Sequence, residues 1–326
     1  MRILRGELSR IKSGLLLLAF VGIYRLSWAQ DQTITFSATG DVPYSANEFS
    51  VFQTQLNNHN KYSPSAFLVH VGDIFAGSDS CDESRYATIA NLLKGLAVPA
   101  YIVPGDNETV DCKSPSEGMN HFLNYFIGFE QNFCGALHAE HQNVRPENWA
   151  FTMNGVLFMG INNIYGGNIA YQQAADWVRQ QLEAQSWQAT PGGVRAAVIF
   201  AHYEPNRNTL FSTPFRQAAA AFGKPVLFLH GHGHSWTMSY PFPELNILRV
   251  QVNKGGAEAP VEVTVTTAVT TNPDSMFIFK RNPWSSKTFV NMPPCANAGP
   301  DQTLDTVFST TLLGSVTDDG DNGSGL

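Results

Sequence analysis

The chain has 326 residues, of which 43% are hydrophobic and 12% aromatic, with 20 Lys+Arg against 27 Asp+Glu for a net charge of −7. That composition supports one large domain with a deep core plus something small, and it excludes a chain too polar to fold. An acidic surface also repels nucleic acid and anionic membranes at long range, so neither is an expected partner.

Residues 1–29 read as a secretory signal. Arg2, Arg5, Arg10 and Lys12 precede the apolar run from Gly14 to Tyr24, and Ser27-Trp28-Ala29 sets small residues where a signal peptidase cuts. Arg25 stops the run short of the roughly 20 residues needed to span a bilayer. The expectation is a secreted, periplasmic or cell-surface chain without a membrane anchor after cleavage. The segment carries five of the 20 basic residues and one of the 27 acidic ones, so its removal leaves 15 against 26, a net −11. A phosphate anion must then be attracted locally, and bound cations are the obvious source.

From Gln32 to about Trp284, strand-like and helix-like segments alternate. Ile34-Thr35-Phe36 is a strand leading into Gly40-Asp41, and Phe49, Phe52 and Leu56 predict a helix over 49–57. The apolar run Ala66 to Val71 ends in Gly72-Asp73. Ile89, Leu92, Leu93 and Leu96 share a face of a predicted helix over 86–96, and the strand Val98 to Val103 turns out through Pro104-Gly105. The stretch 111–148 is polar and rich in turn residues, and reads as a long irregular insertion near the site.

A hairpin is predicted around Asn154-Gly155, flanked by Ala150-Phe151-Thr152 and Val156 to Ile161. Ala174, Trp177, Val178 and Leu182 predict a helix over 171–185. Val198 to Ala201 delivers His202, and Val226 to Leu229 delivers Gly231-His232-Gly233-His234. Ile247 to Val252 and Glu258 to Thr267 read as strands of an antiparallel edge. Apolar strands alternating with helices predict an α/β fold, with buried sheet covered by helices.

After Trp284 the composition changes. Residues 285–295 form a Pro-ended linker, and from Ala296 onward there is no Lys or Arg but five Asp. The run from Ala296 to Gln302 together with Leu312 to Gly320 resembles the opening of a PKD-like β-sandwich module. Residues 296–326 are too few for such a sandwich, which takes roughly 100. The expectation is a short β-type fragment of a longer exported protein, with further C-terminal domains beyond it; a disordered acidic tail is the alternative.

Cys81, Cys112, Cys134 and Cys295 lack the short paired spacing of a zinc ribbon, so in an exported chain disulfides are expected. Four cysteines allow three pairings. Cys81 with Cys112 is preferred, because they flank the loops after Gly72-Asp73 and Gly105-Asp106.

Five blocks recur just after apolar runs, in a fixed order. They are Gly40-Asp41, Gly72-Asp73, Gly105-Asp106-Asn107-Glu108, His202 and Gly231-His232-Gly233-His234. One block alone is a capped turn; carboxylates and imidazoles from several strand ends can together hold a pair of metal ions. The ordered set, over about 250 residues, resembles the calcineurin-like metallophosphoesterase superfamily. That resemblance implies a four-layer αββα sandwich with two metal ions (Fe, Mn or Zn) at the strand ends.

Carried over residue by residue, Asp41 and His234 hold one ion, Asp106, His202 and His232 hold the other, and Asp73 bridges them. It further implies hydrolysis of a phosphate monoester or diester by a water that the ions acidify.

Two departures stand out. The histidine expected two residues after Asp41 is replaced by Pro43, and Tyr44 follows; it is either a phenolate ligand, as a tyrosine is in the related purple acid phosphatases, or a packing or substrate-stacking aromatic. Asp106-Asn107 stands where the family has Asn-His. Three aspartates then leave +1 on two divalent ions, and Asn107 can hydrogen-bond phosphate but cannot protonate a leaving group. His230, His138 and His141 are candidate acids. Glu108, Asn148 and Asn163 are expected to orient ligands from behind. A rival reading is a catalytically weak or inactive metal-binding domain within a larger cell-surface adhesion protein.

Overall fold

A computed structural model describes residues 33–77, 79–135, 138–186 and 194–285, together with the short strands 295–297 and 315–317. The expected signal, nearly all of the linker and most of the PKD-like stretch lie outside the described residues.

In chain order the elements are β1 (Ile34–Thr39), α1 (Ala46–Tyr62), β2 (Leu68–His70), α2 (Glu83–Leu93), β3 (Ala100–Ile102), α3 (Pro115–Phe126), β4 (Glu140–Gln142) and β5 (Arg145–Met153). They continue with β6 (Val156–Gly160), α4 (Gly167–Ser186), β7 (Ala196–Ala201), α5 (Thr209–Phe222), β8 (Val226–His230), β9 (Thr237–Ser239) and β10 (Ile247–Gln251). The last are β11 (Val261–Val265), α6 (Pro273–Met276), β12 (Phe277–Lys280), β13 (Cys295–Asn297) and β14 (Ser315–Thr317).

Side chains on a strand alternate between faces, and here both faces are apolar. One parity (Phe36 and Ala38, Val69 and Val71, Phe158, Val198 and Phe200, Leu227 and Leu229) packs into a single buried core. The other parity faces helices. Leu68, Ala100 and Ile102 meet Phe52, Ile89 and Phe122 of α1, α2 and α3. Met159, Ile199 and Phe228 meet Trp177 and Phe215 of α4 and α5.

Two sheets result, a five-stranded one in the order β12-β11-β1-β2-β3 and a seven-stranded one in the order β4-β5-β6-β7-β8-β10-β9. Their shared core with helices outside is the four-layer αββα arrangement expected. Between the sheets, the Phe67 ring stacks on Phe36 at 5.5 Å and meets Phe158 edge-on at 4.9 Å. β13 and β14 pair antiparallel as the expected short β fragment.

Local signals hold where they are strong. Asn154 (φ 47°) and Gly155 (φ 69°) make the tight β5–β6 turn. Ser45 caps α1 by accepting from the Glu48 amide at 3.2 Å.

Two expectations are corrected. The stretch 111–148 is no irregular insertion: it contains α3, with Met119, Phe122 and Phe126 buried at helical spacing, and β4 with the start of β5. Nor do the segments around 247–252 and 258–267 form one antiparallel edge. β10 lies parallel to β8 in the larger sheet, and β11 lies antiparallel to β1 in the smaller. Pairing is a long-range choice that a strand's own alternation does not encode.

Candidate metal centre

Parallel strands β1, β2 and β3 of the small sheet, and β7 and β8 of the large sheet, point their carboxyl ends at the same place. The loops there carry Asp41, Asp73 and Asp106 from the first sheet and His202, His232 and His234 from the second. Carboxylates thus come from one sheet and imidazoles from the other, across the inter-sheet core.

Close loop approach explains the glycines of the motifs. A Cβ on Gly105 would lie 2.2 Å from the Asp73 Oδ1, and one on Gly231 would lie 2.6 Å from the Asp41 Oδ2. The backbone is also strained where the candidates sit. Asp41 (φ 56°), Asp73 (φ 60°), His232 (φ 71°) and His234 (φ 60°) are all left-handed, a conformation that costs non-glycine residues about 1 kcal/mol or more. Such strain concentrates at functional sites.

His202 is central and fully buried. Its Nδ1 donates to the Val71 carbonyl at 2.8 Å, which turns Nε2 towards Asp106 Oδ1 at 2.9 Å and Asp73 Oδ1 at 3.3 Å. A carbonyl partner on Nδ1 is how a metal-binding imidazole is commonly aimed. His232 Nδ1 lies 3.4 Å from Asp106 Oδ2, and His234 Nε2 lies 3.3 Å from Asp41 Oδ1.

Ligand atoms of Asp106, His202 and His232 fall within 4.8 Å of one another, as do those of Asp41, Asp73 and His202. The second group holds His202 where the resemblance puts His234. His234 is on the same side, 3.4 Å from the Tyr44 hydroxyl. That hydroxyl donates to Asp73 Oδ2 at 2.7 Å and lies 3.3 Å from Asp41 Oδ1, so Tyr44 reaches the centre of this group.

The charge state fits a cation site. Burial raises the Asp73 carboxyl above the ordinary carboxylate range. Burial pushes Asp41 and Asp106 the same way, but hydrogen bonds from His234 to Asp41 and from His202 and His232 to Asp106 outweigh it and hold both low. Burial depresses His202, yet Asp73 and Asp106 raise it well above the ordinary imidazole value. Burial, with Asp73 and Asp41 nearby, keeps Tyr44 a phenol. Three aspartates in a buried cleft thus draw positive charge from whatever can supply it.

The supporting residues are clear. Glu108, fully buried, accepts from the amides of Gly105 (2.5 Å), Asp73 (3.1 Å) and Ile74 (3.3 Å), which latches the β2 loop to the β3 loop. Burial and the Asp73 charge push its carboxyl up to about 8. The Cys81–Cys112 disulfide, the preferred pairing, ties the same loops, and Cys134 is not free either. Asn163 clasps the Tyr203 backbone at 2.9 and 3.2 Å, beside His202. Asn148, expected to orient a ligand, instead accepts from the Asn162 amide at 2.6 Å and donates to Gln142 at 2.7 Å, bonds that reach no candidate ligand.

The acid candidates are placed elsewhere. His230 is fully buried, with Nδ1 on the Gly231 carbonyl (2.9 Å) and Nε2 receiving Arg249 (2.8 Å); burial and Arg249 push it down to about 3. With both nitrogens engaged, it cannot serve a leaving group. Asn107 points its amide back to the Phe75 carbonyl at 2.9 Å, while its backbone N–H binds Asp73 Oδ1 at 3.0 Å. His141 is held by the Pro146 carbonyl at 2.5 Å, and His138 flanks β4. β4 is three strands from β7, roughly 14 Å along the sheet.

One contributor was not anticipated. Tyr203 donates to Asp106 Oδ2 at 2.9 Å, packs edge-on to His232 at 4.6 Å, and carries the Arg207 guanidinium 3.8 Å over its ring. An aromatic directly after a candidate ligand gives no periodic signal by which to find it.

Comparison with known proteins agrees with this architecture. Residues 34–236 match the calcineurin-like phosphoesterase family. Among solved structures, the GAP50 protein, the anchor in the inner membrane complex of Plasmodium, is 10% identical with a TM-score of 0.50, over 76% of this chain and 84% of its own. Purple acid phosphatase PPD1 from yellow lupin (Lupinus luteus) seeds is 13% identical with a TM-score of 0.50, over 74% of this chain; the match spans 50% of the lupin enzyme. At these identities the likeness is one of fold. A search of curated protein sequences finds no relative. With more than half its length matching, on the fold that its own strands build, this chain belongs to the calcineurin-like phosphoesterase family.

Proposed function

We propose that this chain is an exported hydrolase of phosphate monoesters or diesters, working with two metal ions held by Asp41, Asp73, Asp106, His202, His232 and His234, with Tyr44 as a further ligand. The observation that carries this is the convergence of three buried carboxylates and three imidazoles from five loops, with His202 aimed by the Val71 carbonyl.

The donor set fits the ions: nitrogen and oxygen ligands suit manganese, iron or zinc. Asp73 suits the bridging place, since Oδ1 faces His202 and Oδ2 faces Tyr44. When bound, such a pair polarises a phosphoryl oxygen and lowers the pKa of a water towards neutrality. The chain's residues do the rest. Glu108 and the Asn107 backbone N–H fix Asp73, Tyr203 fixes Asp106, and Arg207 stacks on Tyr203 in turn. None of His230, His138 and His141 stands ready to protonate a leaving group, so a leaving group that is stable as an anion suits the site best.

Export is supported by the pattern of residues 1–29 and by the disulfide. Among the described residues, no helix is long and apolar enough to cross a membrane.

The test is purification without chelators, reconstitution with manganese, iron or zinc, and assay on p-nitrophenyl phosphate and its bis-ester. The expected result is turnover that His232→Ala reduces at least 10³-fold, with a parallel fall in metal content. Full metal loading without turnover of any phosphate ester would sink the hydrolase reading and leave a metal-binding domain of a larger adhesion protein.

A further inference from the structure

A cavity of about 410 Å³ opens between the starts of α1 and α2, at the same carboxyl edge of the small sheet as the metal centre. That volume is in the range of small-molecule sites, roughly 300–1,000 Å³. Phe49, Phe75 and Tyr44 line it, along with Thr88 and the Asp79–Arg85 pair, joined at 2.8 Å. Arg85 is matched by Asp79 and also lies 5.8 Å over the Phe75 ring, so the cavity offers no unmatched cation for a second phosphate. Its aromatic walls suit a flat, uncharged ring.

Tyr44 joins the cavity to the metal centre. Tyr44 is one of the cavity's lining residues, and its hydroxyl lies 2.7 Å from Asp73 Oδ2. An ester whose phosphate is drawn to cations held by these carboxylates has Tyr44 between its phosphorus and the cavity, which puts the organic group within reach of it.

The site's chemistry points the same way. The histidine that the family pattern places after Asp106 is Asn107 here, and its amide is turned to the Phe75 carbonyl. An aryloxide, with a pKa near that of tyrosine at about 10, leaves far more easily without an acid than an alkoxide, whose pKa is close to water's at about 15.7.

Resting on the phosphoesterase reading above, we propose that the substrates are aryl phosphate esters whose aromatic leaving group seats in the α1–α2 cavity. In the step, a water oxygen bonds to phosphorus, the phosphorus–aryl oxygen bond breaks, and the aryloxide departs with the electron pair. The water's proton goes to solvent, from which the aryloxide takes one to become the phenol.

Aryl esters react faster in any site, so rate alone does not decide. The test compares binding of phenylphosphonate and methylphosphonate to the metal-loaded protein by calorimetry, in wild type and in Thr88→Trp, an exposed helix position where the new ring fills the cavity. The expected result is at least tenfold tighter binding of phenylphosphonate by wild type. In Thr88→Trp that preference is lost while methylphosphonate binding is unchanged, and KM for phenyl phosphate rises at least tenfold with KM for methyl phosphate unmoved. Equal binding of the two phosphonates by wild type, a comparison that needs no variant, overturns the proposal, as does an equal effect of Thr88→Trp on both. A preference without turnover of any ester leaves the cavity assignment standing and sinks the hydrolase; turnover without a preference does the reverse.

Discussion

A left-handed aspartate or histidine is a cost that folding alone gives no reason to keep, and four candidate ligands carry it. They are held there by interlocked loops rather than by their own preferences. Gly105 is the tightest point of that lock, since a Cβ would meet both Asp73 Oδ1 and the Asp73 amide at 2.2 Å. Gly105→Ala is expected to cost about 1–3 kcal/mol, the usual range for overpacking, and to empty the metal centre while leaving the folded spectrum intact. Metal analysis beside a thermal melt checks this; full metal content in the variant would refute it. Glu108→Gln tests the latch behind the same loop. It sets an amide donor against backbone donors now received by carboxylate oxygens. A loss of about 1–3 kcal/mol is expected in chemical denaturation.

Among the elements, α1 gives a pH test away from the metal centre. His59 is fully buried, its Nε2 3.1 Å from Ser37 Oγ and its Nδ1 without a partner, and burial pushes it down to about 4. Unfolded, it takes up a proton below about 6.5, whereas the folded protein waits until about 4. The unfolded state binds more protons in that window, so stability falls as the pH drops through it, by up to about 3 kcal/mol from this residue. Urea midpoints at pH 7.5 and 5 should show the fall, and His59→Gln should make it shallower, the remainder coming from His70 and His230, which burial likewise holds low; an unchanged slope would contradict the assignment.

The Cys81–Cys112 bridge closes a separation of 31 residues between two site loops. By loop-closure entropy, replacing both with serine should cost about 3–4 kcal/mol and weaken metal retention, measurable by denaturation and chelator competition.

What the sequence disclosed also divides by element. Strand ends bearing Gly-Asp or Gly-His were readable, because an apolar run followed by a tight turn is a local signal, and so was the Asn154-Gly155 hairpin. α5 was missed although Phe211, Phe215, Ala218 and Phe222 are spaced for a helix, capped by Asn208 and ended by Gly223; Pro214 within the second turn masks the period. α3 was hidden among the polar residues between Cys112 and Cys134. The placement of β10 and β11 in different sheets was beyond reach, since each alternates alike and only partners far along the chain distinguish them. Similarly, His230, a candidate acid by sequence, is engaged by Arg249, a residue one strand away.

At the scale of the molecule, the metal centre is a seam. Three carboxylates ride on the five-stranded sheet, three imidazoles on the seven-stranded one, and His202 crosses between them to the Val71 carbonyl. Ions held there would clamp the two sheets, which would link sheet packing to metal affinity. Phe67, buried between the sheets among Phe36, Tyr101, Phe151 and Phe158, probes the packing side. Phe67→Ala should cost about 3–5 kcal/mol and loosen metal binding though it touches no candidate ligand. From the other direction, metal at a hundredfold excess over its Kd should stabilise the fold by about 2.7 kcal/mol, and a chelator should remove that gain.

These side chains are proposed to cage a pair of cations. Elemental analysis of the protein purified without chelators tests it most directly. A caged cation pair requires close to two transition-metal ions per wild-type chain and a marked loss in His202→Ala; wild-type protein that stays below one ion per chain after incubation with manganese, iron or zinc would rule it out.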